Sequence, residues 1–163
     1  MRRRRLPVVL ACVAAALAGM VAVAPRYWSQ ARGARMLALP PGVLVAPRVV
    51  ASDMRGRPAI VHYWASWCEP CRQEAPELAR LARQLGDRGR LVGVDVADRR
   101  ADALSFVRRY GWRFPNLADG GAASPPDSDV VGLPMTLVVD ATGRVVRTLY
   151  GPQTARRLLA ELR

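Results

Sequence analysis

Apolar residues in this chain come in short runs separated by polar, glycine-containing or proline-containing stretches. Residues 59–64 (Ala-Ile-Val-His-Tyr-Trp) are apolar apart from His62, which predicts a central strand buried on both faces. Residues 91–96 (Leu-Val-Gly-Val-Asp-Val) predict a second such strand. Between them Leu78, Leu81, Ala82 and Leu85 recur at helical spacing, predicting a helix over 69–85. Pro76 should kink that helix and Gly86 should end it. Residues 100–110 predict another helix, closed by Gly111. Residues 135–140 and 144–150 read as two strands joined by a turn at 141–143, a hairpin. A closing helix over 153–162 carries Leu158, Leu159 and Leu162 on its inner side. Towards the front, 43–45 and 49–50 predict a short strand or two, and 53–58 a turn. Residues 114–134 are expected to form a long loop, with Gly120-Gly121 and Pro125-Pro126 inside it. Loops of that length in a compact domain are usually functional or mobile.

The N-terminal pattern is different. Arg2 to Arg5 precede nineteen residues, 6–24, that carry no charge. At 1.5 Å per residue such a helix nearly crosses a ~30 Å hydrocarbon core. The arginines should remain cytoplasmic, placing everything after Ala24 outside. Ala22-Val23-Ala24 has the small-x-small form of a signal-peptide cleavage site, but Pro25 would follow the cut. The expectation is an uncleaved membrane anchor with the rest of the chain outside. Cys12 is expected as a small residue packed in that helix. Tyr27 and Trp28 sit where an interfacial aromatic belt would lie. The division expected is an anchor at 1–25, a tether at 26–42 and one domain at 43–163.

Charge changes the picture little. The net charge is +12 and every basic residue is arginine. From Met36 onward 18 arginines face 13 acidic residues, and no basic helix with interleaved aromatics appears. Nucleic-acid binding is therefore not expected.

The chemistry lies between the first buried strand and the first helix, in Cys68-Glu69-Pro70-Cys71. A helix N-terminus has unpaired N–H groups and a partial positive charge, which favour a thiolate at Cys68. The two-residue spacer brings Cys71 within reach of a mixed disulfide formed at Cys68. Pro70 is tolerated in the first turn, where its missing N–H would have no partner. Half a zinc site is the alternative, but zinc needs four ligands and the chain adds only Cys12 and His62. Haem attachment would need a histidine after Cys71, where Arg72 stands. The order βαβα then ββα, with Cys-x-x-Cys after the first buried strand, predicts an α/β thioredoxin-like fold, a central mixed sheet flanked by helices.

From about Val49 to Arg163 the chain resembles the thioredoxin superfamily. Within it, it is most similar to the membrane-tethered, extracytoplasmic TlpA/ResA/DsbE-like thiol–disulfide oxidoreductases. Residues 64–71 (Trp-Ala-Ser-Trp-Cys-Glu-Pro-Cys) match the active-site string, and Arg72, Glu74 and Pro76 match the pattern after the second cysteine. Gly132-Leu133-Pro134-Met135-Thr136 sits where the superfamily keeps a cis-proline loop. Residues 140–144 resemble the family's hairpin turn. The resemblance implies Cys68 as attacking thiolate and Cys71 as resolving thiol. It implies that Pro134, in the cis form, sets backbone groups beside Cys68 to hold an extended substrate segment, and that Trp67 shields the sulfurs.

Two positions depart from the relatives. His62 stands where thioredoxins carry a buried carboxylate, and is either a proton relay to Cys71 or a hydrogen-bonded core histidine. Asp98 falls where relatives often have a glutamate near the disulfide, and is either that group's counterpart or an exposed loop residue. Glu74 is either an active-site group or a surface helix residue. Glu69, next to Cys68, disfavours its thiolate. The expected function is reduction of disulfides in other proteins, such as in cytochrome c maturation, with electrons from a transmembrane DsbD/CcdA-like reductase. The Cys pair is itself the redox centre, so no bound cofactor or metal is expected. Alternatives are a disulfide-donating oxidase or isomerase, and a copper-delivery protein using the Cys pair with His62 and Met135.

Overall fold

The computed structural model describes residues 35–119 and 132–163. The expected membrane span at 6–24, Cys12, Tyr27, Trp28, most of the tether, and the Gly120-Gly121 and Pro125-Pro126 pairs lie outside them. Among the described residues no helix is long and apolar enough to cross a membrane.

The elements are β1 (Gly42–Val45), β2 (Ala59–Trp64), α1 (Glu69–Leu85), β3 (Arg90–Asp95), α2 (Arg100–Arg109), β4 (Asn116–Ala118), β5 (Met135–Val139), β6 (Val145–Tyr150) and α3 (Ala155–Glu161). The six strands form one mixed sheet in the order β1-β4-β3-β2-β5-β6. β2, β3 and β4 run parallel; β5 and β6 pair antiparallel as the expected hairpin, and β1 pairs antiparallel with β4.

Side chains alternate across a strand, so β2 serves both faces. Ile60 and Trp64 join one core cluster, which receives the buried residues of all three helices. Ala59, Val61 and Tyr63 join the other, closed by Leu37, Val49 and Met54. His62 shares the period of Ile60 and Trp64 and so belongs to the helix-covered face. The register sets Gly93 and Thr136 beside it on the neighbouring strands.

Helix α1 runs unbroken through Pro76. The proline removes one backbone hydrogen bond, a cost of ~3 kcal/mol. Full burial of Leu78 and Leu81 contributes about 1.5–3 kcal/mol each, which offsets that loss.

Two expectations are corrected. Val49 and Val50 form no strand; they lead into a 3₁₀ turn, Ala51–Met54. The segment expected as a loop over 114–134 contains β4, which extends the sheet beyond β3. Within the compact unit Arg35–Arg163 the chain is already packed ahead of β1. Leu37 is buried, its N–H donates to the Gly143 carbonyl, and the Val145 N–H donates to Arg35.

Candidate active site

β2 and β3 end together, with Trp64 opposite Asp95. A sharp turn then carries the chain into α1. Cys68 is the N-cap of that helix, and its sulfur accepts the Cys71 N–H at 3.1 Å. Cys68 and Cys71 form a disulfide. Both sulfurs thus sit over the positive end of a helix, which favours negative charge on Cys68 once the pair is reduced. Pro70 occupies the first turn as expected.

The turn is held from two sides. Asp98 accepts the Ser66 N–H at 2.6 Å and the Ser66 hydroxyl at 2.7 Å. Arg72 donates to the Ser66 carbonyl at 2.6 Å and to Glu69 at 2.8 Å. Asp98 is therefore an anchor for the residue two before Cys68, not an unattached loop side chain. The Arg72 guanidinium holds the exposed Glu69 carboxyl below its usual range. Its positive charge also offsets the effect of Glu69 on Cys68. Trp67 is 57% exposed beside the disulfide, so it is no core aromatic. With Ser66, Arg72 and Tyr110 it lines an open pocket of about 320 Å³.

Pro134 precedes β5, whose first residue lies opposite Tyr63. This register brings the Leu133–Pro134 loop to the sheet end that carries the Cys68 turn. The Leu133–Pro134 peptide is cis, and Leu133 packs against the cluster that contains both cysteines.

Glu74 follows Cys71 by three residues, on the same face of α1. It is buried, which corrects the surface alternative. One oxygen accepts the Gln153 N–H at 3.0 Å. The other, Oε2, is buried without a hydrogen bond and lies 3.8 Å from His62 Nε2. Burial pushes the Glu74 carboxyl up to about 8, against the pull of the Gln153 N–H. His62 Nδ1 lies 3.0 Å from the Thr136 hydroxyl. Burial pushes the imidazole down to about 3, so it is neutral at physiological pH. His62 is thus a hydrogen-bonded histidine of the interior, placed against the buried Glu74 carboxyl.

Asp95, buried opposite Trp64, is a further residue of the site that its apolar sequence surroundings do not single out. Burial, then the neighbouring Asp98 and Asp119 carboxyls, push it up to about 8. An acidic residue inside an apolar strand was the available signal. Asn116 is another such residue. It accepts the Trp64 indole N–H at 3.0 Å and donates to the Phe114 carbonyl at 2.9 Å. Gly93 makes room for it, since a Cβ there would lie 1.9 Å from Asn116 Oδ1. Among the described residues no three His, Cys, Asp or Glu side chains converge as a metal site.

A family model described as AhpC/TSA family matches residues 44–148. The chain belongs to the AhpC/TSA family. It is 31% identical over 108 residues to the thiol-disulfide oxidoreductase ResA of Bacillus subtilis, covering 66% of this chain and 60% of that protein. It is 39% identical over 102 residues to the thiol:disulfide interchange protein DsbE of Allochromatium vinosum, covering 62% and 55% respectively. The chain therefore spans little more than half the length of these relatives. StoA from Bacillus subtilis has the same fold, with a TM-score of 0.66 at 22% identity over 78% of this chain and all of that one.

Proposed function

We propose that this protein is a thiol–disulfide oxidoreductase that reduces disulfides in other proteins. The observation that carries the reading is the Cys68–Cys71 disulfide capping α1, with the Cys68 sulfur accepting the Cys71 N–H. In the reduced protein the Cys68 thiolate attacks a substrate disulfide and forms a mixed disulfide, releasing one substrate thiolate. Cys71 then attacks the Cys68 sulfur. The bond from Cys68 to substrate breaks, its electron pair leaves on the second substrate sulfur, and the Cys68–Cys71 disulfide re-forms. Two electrons have passed to the substrate. Cys71 gives up its proton during its attack, and Glu74, one turn further along the same helix face, takes it when in the carboxylate form. The electrons reside in the two sulfurs, so the reaction needs no bound cofactor.

The family resemblance extends this reading. It supports extracytoplasmic work in cytochrome c maturation, an anchor at 6–24, and recharging by a transmembrane DsbD/CcdA-like reductase. The test is the reduction potential of the Cys68–Cys71 couple in the full chain, equilibrated against glutathione and dithiothreitol buffers. A value near or below about −250 mV is expected for a reductant. A value of about −120 to −180 mV would assign the chain to disulfide donation instead.

A further inference from the structure

The hydrogen-bond partners around His62 bear on which of its nitrogens carries the proton. Thr136 is wholly buried, and among the described residues its hydroxyl has one partner, His62 Nδ1 at 3.0 Å. A buried hydroxyl needs an acceptor for its hydrogen. Nδ1 meets that need only as a bare lone pair. In a neutral imidazole the proton then rests on Nε2. Nε2 in turn faces Glu74 Oε2, the buried carboxyl oxygen that has no hydrogen bond of its own.

We propose that His62 is a positioning residue for the dithiol's proton acceptor: Thr136 fixes its tautomer, and the resulting Nε2–H is aimed at Glu74 Oε2. The chain of groups runs from the Thr136 hydroxyl through the imidazole to the carboxylate, with the Gln153 N–H on the other oxygen. At 3.8 Å the last link is long; it tightens when Glu74 is a carboxylate, because charge strengthens the bond. This matters because burial alone drives Glu74 towards the protonated form, which cannot accept a proton from Cys71. A second donor favours the carboxylate form and so enlarges the fraction of Glu74 able to accept that proton near neutral pH. When Cys71 attacks the mixed disulfide, its proton passes to the Glu74 carboxylate. The imidazole keeps its own proton and donates throughout.

Among the described residues the ionisable groups around the pair are few. Cys71 and Glu77 come from α1 itself, and His62 comes from β2. The segment ahead of α3 offers only the Gln153 N–H, and β5 only the Thr136 hydroxyl. The Trp112 ring meets the imidazole edge-on, with centroids 6.2 Å apart.

This inference rests on the oxidoreductase reading for its purpose, but its test does not. His62 is the sole histidine in the chain, so its imidazole nitrogens give unambiguous nuclear magnetic resonance signals. The first measurement is nitrogen-15 spectroscopy of the full chain in its disulfide form, between pH 5 and 8. A neutral ring protonated at Nε2 is expected; protonation at Nδ1 overturns the proposal. The second is infrared titration of the Glu74 carboxyl, identified by its absence in Glu74→Gln, in the native protein and in His62→Leu. Loss of the donor should raise the Glu74 midpoint by about one pH unit or more. An unchanged or lowered midpoint overturns the proposal. The tautomer measurement needs no variant, so it decides even if His62→Leu does not fold. A dithiol that fails to cycle would sink the oxidoreductase reading and leave both of these readouts intact.

Discussion

Asp98 grips Ser66 by both its N–H and its hydroxyl, at 2.6 and 2.7 Å. The carboxylate comes from the loop after β3 and the serine from the turn into α1. Two strands that run side by side are thereby tied together just beyond their ends. Asp98→Ala should lower the stability of the disulfide form by about 2–3 kcal/mol, as expected for losing hydrogen bonds to a charged acceptor. Asp98→Asn, which keeps an acceptor oxygen, should lose less. Urea unfolding of the three proteins measures both. Equal stability in all of them would show that the tie carries no load.

The buried acids and the histidine set opposite trends with pH. Glu74 and Asp95 have folded values raised to about 8. Above their ordinary range the unfolded chain releases those protons and the folded chain keeps them, so stability falls as pH rises towards 8. His62 is depressed to about 3. Stability therefore rises with pH between 3 and its ordinary value of 6.5, partly cancelling the acids there. Above 6.5 only the fall remains. The melting temperature of the disulfide form should drop between pH 6.5 and 8, and Asp95→Asn should flatten that drop. A melting temperature that climbs over this interval would contradict the placement of both acids.

Cys71 is more deeply buried than Cys68, with 1% against 4% of its surface exposed. A substrate sulfur should therefore meet Cys68 first. Cys71→Ser should accumulate a covalent adduct with substrate that only added reductant releases, while Cys68→Ser should form none and lose turnover. Mass spectrometry of the two variants after incubation with a disulfide peptide separates these outcomes. Adducts on Cys71 in the Cys68→Ser protein would reverse the assigned roles.

Gly93 is required by its neighbours rather than by its backbone angles. A methyl group there would meet the Asn116 side chain at 1.9 and 2.8 Å, and Asn116 is pinned by Trp64 and by the Phe114 carbonyl. Gly93→Ala should cost about 1–3 kcal/mol or more through overpacking. Calorimetry of the variant gives the value directly. A loss below about 0.5 kcal/mol would mean that Asn116 moves freely.

Much of this was legible in the sequence, for identifiable reasons. β2 and α1 have unmixed signals: a run apolar on both faces, then leucines at helical spacing, with Cys-x-x-Cys at the junction. β4 is only three residues long, follows Pro115, and is fixed by pairing with β1 and β3. Its identity depends on distant partners that no local pattern reveals. Glu74 is instructive because its burial was readable. Cys71, Glu74, Leu78, Leu81 and Leu85 fall at spacings of three and four, which is the stripe that α1 buries. An acid in that stripe was the clue. The Thr136 partner of His62 was not readable, because it depends on the antiparallel register between β2 and β5.

The way the chain enters the domain has a further effect. Residues 35–37 lie along the start of β6, with Met36 bridged to Arg144 and backbone bonds from Leu37 and to Arg35. β6 is the last strand on its side of the sheet, and such a border offers unpaired backbone groups to any other extended chain. Here the protein's own leading segment occupies the first of those positions. Val146 and Tyr150, further along, stay exposed. A shortened version starting at residue 40 would strip those contacts from the β6 border and uncover the apolar face that Leu37 seals. Its tendency to clump would then reflect where the cut was made, not any weakness in the fold.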